Sequence, residues 1–386
     1  MRPLHRPKVP ASATQRVLVA PDKFKGTLTA TQAAAAIAEG WHAARPGDLI
    51  ESLPMSDGGD GFGELLGRQI GAEEQRVRTV DAAHRPITAS WWWKPGRRLA
   101  IIETARVIGL AMLPAGKFHP FELDTFGLGV VLRDAAKRRP RRCLIGIGGS
   151  ATNDAGFGLA RALAWRFLDA AGAEITNWPA LLRLAHVVES PETPWRGRLI
   201  VAVDVRNRLL GARGATHIYG PQKGIRPEDV APAERALRRL AQVVRRQRRF
   251  REDPALEAGA GAAGGLGFGL RVFAGAQLES GFGIFARETR LARRVRAANL
   301  VITGEGAIDR TTVAMGKGVG ELARLCRQLR VPCLGLGGVV NDAERVRRAF
   351  TKVAGIAPEL ANAETAKADA VRWLRELAHR TALAWE

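Results

Sequence analysis

The sequence predicts an α/β protein of two domains. Both chain ends build a doubly wound parallel sheet, and a mixed α/β domain is inserted between them. Three observations predict this. Short apolar runs alternate with stretches of helical apolar spacing at the beginning of the chain and again at its end. The 43 glycines cluster at the ends of apolar runs, as α/β loops do, rather than in a low-complexity tract. The middle third interrupts the alternation with strands that lie close together.

Residues 16–21 (Arg-Val-Leu-Val-Ala-Pro) read as a buried parallel strand. Thr29 then caps a helix, with Gln32 three positions on as in a capping box, and Ala33, Ile37 and Trp41 form its apolar stripe. Residues 49–53 read as the next strand. A loop, Met-Ser-Asp-Gly-Gly-Asp-Gly, follows at 55–61, and Phe62, Leu65, Leu66 and Ile70 continue at helical spacing. Strands at 91–93 and 99–102 lack a long helix between them. A strand at 199–203 and a glycine-dense segment at 259–269 complete the middle. Alternation returns with a strand at 300–303, a helix at 319–329, a strand at 331–336, a helix at 343–350, a strand at 353–356 and one long helix at 363–385. The expected division is residues 14–85 and 283–386 in the doubly wound domain and 86–282 in the inserted one. Residues 1–13, basic and Pro-containing with no apolar h-region after them, read as a flexible extension.

With 386 residues, 46% of them hydrophobic, the chain can bury a sizeable core, and no apolar stretch approaches a membrane span. Cys143, Cys326 and Cys333 are widely spaced and read as buried reduced thiols of a cytoplasmic protein. The formal net charge is +21, with basic clusters at 137–142 and 245–251. Both clusters flank apolar helical patterns, and aromatic residues do not interleave with them. They read as solvated faces, so no nucleic-acid partner and no membrane are expected, while the positive field draws in small anions.

The chemistry gathers in loops. Residues 143–156 run Cys-Leu-Ile-Gly-Ile-Gly-Gly-Ser-Ala-Thr-Asn-Asp-Ala-Gly, so a strand feeds a glycine cluster carrying Ser150, Thr152, Asn153 and Asp154 before a helix begins. Backbone N–H groups and a helix N-terminus in that order can face an anion. The segment also fits a dinucleotide fingerprint, with Asp169 placed to hold a ribose, which keeps an NAD-dependent dehydrogenase as a remote alternative. Against it, Thr152, Asn153 and Asp154 put polar groups where the first helical turn should pack on the sheet. A classical P-loop is absent. Lys23 and Lys25 follow the first strand and could reach phosphate or carboxylate. Asp57 and Asp60 lie past the second strand, where such pairs hold Mg²⁺ or form turns. Asp204 ends a strand with Asn207 three residues on, and Lys223 sits in a stiff Pro/Gly loop. Glu305 and Asp309 share a glycine loop, with Lys317 at the next helix start. The histidines form no zinc pair and Ser150 lies in no G-x-S-x-G frame, which removes support for zinc and triad hydrolases.

Taken together, these loops resemble the bacterial glycerate kinase family, the type without a P-loop. The matching segments are Ala20-Pro-Asp-Lys-Phe-Lys, Ser56-Asp-Gly-Gly-Asp-Gly, the loop from Gly146 to Gly156, Asp204-Val-Arg-Asn, Tyr219-Gly-Pro-Gln-Lys-Gly, Gly259-Ala-Gly-Ala-Ala-Gly-Gly-Leu-Gly, and Thr303-Gly-Glu-Gly-Ala-Ile-Asp with Gly316-Lys. They occur in the family's order from about residue 16 onward.

The resemblance implies a Rossmann-like domain with an inserted domain, and ATP-dependent, Mg²⁺-assisted phosphorylation of D-glycerate, with 2-phosphoglycerate and ADP as products. A 3-phosphoglycerate product, or another small hydroxy acid as substrate, is the alternative. On this reading Ser150, Thr152 and Asn153, with the Gly148 and Gly149 amides, cradle phosphate oxygens. Asp204 or Asp154 is the general base. Lys25, Lys223 and Lys317 neutralise the glycerate carboxylate and the transferring phosphoryl group. Lys23, Asn207 and Gln222 contact substrate, and Asp57, Asp309 and Glu305 hold Mg²⁺. The chain departs from the family pattern at Asp124, Arg208, Gly318 and Gly337-Gly338-Val339, and at Thr311, where a Gln is usual; the acidic and lysine positions stay intact.

Overall fold

A computed structural model describes residues 14–189, 195–248, 250–314 and 318–385. The extension expected at 1–13 and the predicted site residue Lys317 lie outside the described residues. The chain divides into two compact units. One is built from both ends, Met1–Ser56 and Phe285–Glu386, and the other from Asp57–Ile284.

The first unit holds five strands: β1 (Arg16–Val19), β2 (Leu49–Ser52), β11 (Leu300–Ile308), β12 (Cys333–Val340) and β13 (Lys352–Ala357). They form one parallel sheet in the order β13-β12-β11-β1-β2. β1 is the first strand in sequence and sits beside β11 and β2, so the sheet winds both ways from it and its carboxyl edge is where ligand loops gather. The helix Ala30–Ala44 begins with the expected capping box: Thr29 and Gln32 each satisfy the other's backbone N–H. Its Ala33, Ile37 and Trp41 are fully buried with Val17, Val19, Ile302 and Leu374.

The second unit carries a six-stranded sheet in the order β10-β9-β6-β5-β4-β3: β3 (Glu73–Val80), β4 (Pro86–Lys94), β5 (Leu99–Glu103), β6 (Arg142–Gly146), β9 (Arg198–Ala202) and β10 (Gln277–Glu279). β5, β6, β9 and β10 are parallel, and β3 and β4 add an antiparallel flank. A separate hairpin pairs β7 (Arg166–Asp169) with β8 (Leu184–Val188).

Several expectations change. The division between units falls at residues 56/57 rather than 85/86. The helix Phe62–Ile70 lays Gly63 and Gly67 against Trp92, and β3 pairs with β4, so residues 57–85 join the second unit. The strand expected at 300–303 runs on to Ile308, because Gly304, Glu305 and Ala307 all pair with β12; Glu305 therefore stands in a strand and not in a loop. The long final helix is two, Ala363–Ala368 and Ala370–Leu383, since the Asp369 side chain caps the second one. All three cysteines are buried and unbridged.

Candidate active site

In the second unit, the loops that follow β6 and β9 converge with two later segments. Lys223, in the 3₁₀ turn Pro221–Lys223, is buried, and its ammonium donates to Ser150 Oγ at 3.0 Å and to the Thr152 carbonyl at 2.6 Å. Burial lowers the Lys223 pKa to about 7, against the opposing pull of the Asp154 carboxylate. Ser150 Oγ donates to Ala263 O, and Asn153 Nδ2 donates to Thr216 Oγ1. The Thr152 hydroxyl and the Asn153 amide oxygen are buried with no hydrogen-bond partner among the described residues. Orphaned buried polar atoms are uncommon and call for an explanation.

The segment Ala263–Gly265 holds this loop from behind with three successive left-handed residues, φ 55°, 72° and 85°. Gly264 has to be glycine. A Cβ there would overlap Thr152 O and lie 2.9 Å from Lys223 Nζ, and its φ disfavours a side chain in any case. Ala155 N–H donates to Gly264 O and locks the two segments together.

Asp154 is fully buried, and its carboxylate accepts four hydrogen bonds: from Thr125 N, Thr125 Oγ1, Gly156 N and Gly158 N. Burial first, and then the neighbouring Asp124, raise its pKa to about 6. The anion that this N-terminus was expected to face is, at the start of the helix Phe157–Ala162, the chain's own carboxylate. The Gly148 amide is also taken, by Gly58 O at 3.0 Å, and it braces the loop instead of cradling an anion.

Asp204 follows β9, and Gly281 N–H donates to its Oδ1 at 3.1 Å. Gly281 fits only because it lacks a side chain: a Cβ would overlap the Asp57 carbonyl oxygen and lie 2.5 Å from Asp204 Oδ2. Asp57 and Asp204 are therefore brought together across one glycine. Asn207 is committed to the scaffold. It receives the Tyr219 hydroxyl at 2.7 Å and donates to Arg213 O, while its carbonyl takes Gly259 N–H and Gly261 N–H. Gln222 is exposed.

In the first unit, the loop after β1 places Lys23 and the exposed Lys25 between Asp22, which accepts from Lys23 N, and a tight Phe24–Leu28 turn. Asp22 N–H and the Thr303 hydroxyl tie this loop to β11. At the end of β11, Thr312 Oγ1 donates to Glu305 Oε1 at 2.7 Å, and Asp309 Oδ1 accepts from Thr311 N, Thr311 Oγ1 and Thr312 N. Glu305 and Asp309 are thus joined through Thr312. No group of three or more His, Cys, Asp or Glu side chains meets with metal-binding geometry among the described residues.

The glycerate kinase family model matches residues 17–386. The chain belongs to the glycerate kinase family. It is accordingly an enzyme, a kinase. A glycerate kinase of Halalkalibacterium halodurans is 35% identical over 329 residues, 84% of this chain and 86% of the relative. A glycerate 2-kinase of Escherichia coli is 33% identical over 330 residues, 85% of this chain and 86% of the relative. A crystal structure described as that of a glycerate kinase 2 from Salmonella typhimurium LT2 matches with a TM-score of 0.80 at 31% identity, covering 96% of this chain and 98% of that one. No helix among the described residues is long and apolar enough to cross a membrane.

Sequence reading missed several residues of this family member's loops. Glu103 ends β5 fully buried, accepts Gly61 N–H at 2.7 Å and Gly63 N–H at 3.1 Å, and has its pKa raised by that burial. It holds the 57–61 loop at the start of the helix Phe62–Ile70. A carboxylate closing an unbroken apolar strand was a signal available in the sequence. Ala263 lies in the glycine-dense segment 259–269 already singled out, but Thr125 and Thr216 offered none, because their contacts depend on partners far away in the chain.

Proposed function

We propose that the protein transfers a phosphoryl group from ATP, with Mg²⁺, to the 2-hydroxyl of D-glycerate, giving 2-phosphoglycerate and ADP. The observation that carries this reading is the buried Lys223 ammonium held against the Ser150–Asn153 loop, beside a hydroxyl and an amide oxygen that have no partner. A desolvated cation next to unsatisfied polar atoms is suited to an anionic group that carries further hydroxyls. The glycerate 2-kinase relative supports the 2-position.

Phosphoryl transfer needs positioning and charge neutralisation more than covalent chemistry. Asp204 is held by Gly281 N–H and serves as general base for the substrate hydroxyl. Asp154 positions the loop through its four accepted hydrogen bonds and takes no proton from substrate. Lys223 and Ser150 receive the anionic group, and Gly149, Thr152 and Asn153 complete the cradle. Lys23 and Lys25, with Lys317, neutralise charge on the ligands of the first unit. Glu305 and Asp309 are hard oxygen donors linked through Thr312, a set whose chemistry fits Mg²⁺ completed by water. They would hold the ion, which when bound offsets negative charge on the ATP phosphates.

The test is ADP release coupled to an indicator reaction, with D-glycerate, tartronate, glucarate and threonate offered separately. The reading expects ADP with D-glycerate, and none without an acceptor or with EDTA in excess of Mg²⁺. Faster turnover on another hydroxy acid would reassign the substrate, and nicotinamide-dependent absorbance changes would replace the kinase reading altogether.

A further inference from the structure

The basic run at 137–142 is mostly exposed, as a solvated face is, but it lies past the end of the helix Phe126–Ala136. It folds against the amino-terminal ends of β5, β6 and β9, the sheet edge opposite the loops that follow Glu103, Gly146 and Ala202. A cavity of about 720 Å³ lies there, lined by Arg98, Arg139, Arg141, Arg196 and Arg198 together with Pro140 and Trp195. That volume falls within the ordinary range for small-molecule sites. No acidic side chain lines it, and none of the five arginines has an ion-pair partner among the described residues. Elsewhere the protein does pair its surface arginines, as at Arg245–Asp253 and Arg271–Glu257.

The framework beneath the charges is fixed by the backbone. Arg141 N–H donates to Arg98 O at 2.8 Å, Arg198 N–H to Arg141 O at 2.9 Å, and the Arg98 guanidinium to Arg139 O. Arg98 and Arg139 both adopt left-handed backbone, φ 44° and 50°. Such conformations in side-chain-bearing residues carry a cost and concentrate at functional sites. The buried Trp195 lines the same cavity, and its indole N–H has no partner among the described residues. Five like charges around one concavity repel each other unless a counter-charge fills it.

We propose that this arginine-lined cavity is a binding site for a compact oligophosphate, a ligand carrying two or more linked phosphate groups. Guanidinium forks match phosphate oxygens two at a time, and five of them match the four to five charges of a triphosphate. A concavity of this volume suits a small molecule, whereas a nucleic acid needs an extended surface with stacking aromatics. The proposal is independent of the catalytic reading.

The experiment is thermal melting and titration calorimetry of the full chain with inorganic tripolyphosphate. It compares the wild type, the cavity variant Arg141→Gln/Arg196→Gln and the charge-matched control Arg235→Gln/Arg246→Gln on the helix Pro227–Gln247. Each also carries Lys223→Met in a parallel series, which separates any binding at the catalytic loops. The four altered arginines are exposed, and unliganded melting checks that each variant, those with the buried Lys223 replaced included, is folded. The expected result is saturable binding retained in Lys223→Met and in the control, weakened at least tenfold in the cavity variant, with melting raised by about 3–6 °C at a hundredfold excess over Kd. Equal weakening in cavity and control variants would show a diffuse field and overturn the proposal. Loss with Lys223→Met alone would place the ligand at the catalytic loops, and tighter binding of a 20-nucleotide RNA with a steep salt slope would replace the oligophosphate by nucleic acid.

Discussion

Replacing Lys223 by methionine separates what this lysine does for the fold from what it does for the reaction. Burial moves its pKa from 10.5 to about 7. Between those values the unfolded chain keeps a proton that the folded chain has released, so stability rises with pH across that interval. Each pH unit above the folded value is worth about 1.4 kcal/mol, so between pH 6 and pH 9 the wild type gains about 3 kcal/mol from this one side chain. Methionine cannot titrate and lacks the gain. Without the cation, Asp154 also becomes harder to ionise, which adds in the same direction. Thiols and other groups common to both proteins cancel in the difference. The assay is urea unfolding at pH 6 and pH 9 followed by tryptophan fluorescence; Trp91, Trp92, Trp93, Trp165, Trp178 and Trp195 all lie in the unit that holds Lys223. The stability of wild type minus variant should be about 3 kcal/mol more positive at pH 9. Turnover of the variant should fall by about 10²–10³ at pH 6, where the wild-type lysine carries its charge, and by less at pH 9. Parallel pH profiles would refute the buried, proton-losing lysine, and unchanged turnover would refute its role toward the anion.

Other substitutions probe the surrounding scaffold. Asp154→Ala leaves Thr125 N, Thr125 Oγ1, Gly156 N and Gly158 N without their acceptor and should cost about 4 kcal/mol in denaturant unfolding, while Asp154→Asn stays folded and active; a folded but inactive Asn variant would make Asp154 the base instead. Asp204→Asn should lower kcat by about 10²–10⁴ with unchanged melting. Gly281→Ala drives a methyl group into the Asp57 carbonyl and toward Asp204 Oδ2, and should lower kcat by about tenfold or more with a smaller change in KM. His84 Nε2 meets Asp124 Oδ2 at 3.0 Å, and that hydrogen bond raises the His84 pKa. Its stabilisation is present below pH 6.5 and lost as pH rises through the folded value, so His84→Gln should be less stable than wild type at pH 5.5, by under about 1 kcal/mol given its exposure, and equal to it at pH 9.

The strands β1, β5, β6, β9 and β11 were legible because each contains an apolar run followed by polar residues, glycine-rich after β6. β3 was not, since Glu-Glu-Gln-Arg-Val-Arg-Thr-Val is an exposed edge whose pairing with β4 supplies what its composition lacks. The unit boundary escaped for a related reason: a helix that follows β2 in sequence packs on Trp92, and nothing local to Gly63 or Gly67 announces that partner. Thr303 to Asp309 read as a loop because glycines flank Glu305, yet β12 lies alongside and extends the ladder. Site residues were legible as a group and not by role. Asp154 looks like any loop carboxylate until Thr125, 29 residues earlier, donates to it twice. Lys223 reads as a lysine in a stiff Pro/Gly loop, and only the fold supplies its acceptors, Ser150 Oγ and Thr152 O, more than 70 residues earlier.

The most direct test of the account is phosphorus NMR of the product formed from D-glycerate, ATP and Mg²⁺. The expected spectrum shows the resonance of 2-phosphoglycerate, absent when Asp204→Asn replaces the wild type over the same interval. A 3-phosphoglycerate resonance, or undiminished product from the Asp204→Asn variant, would contradict it.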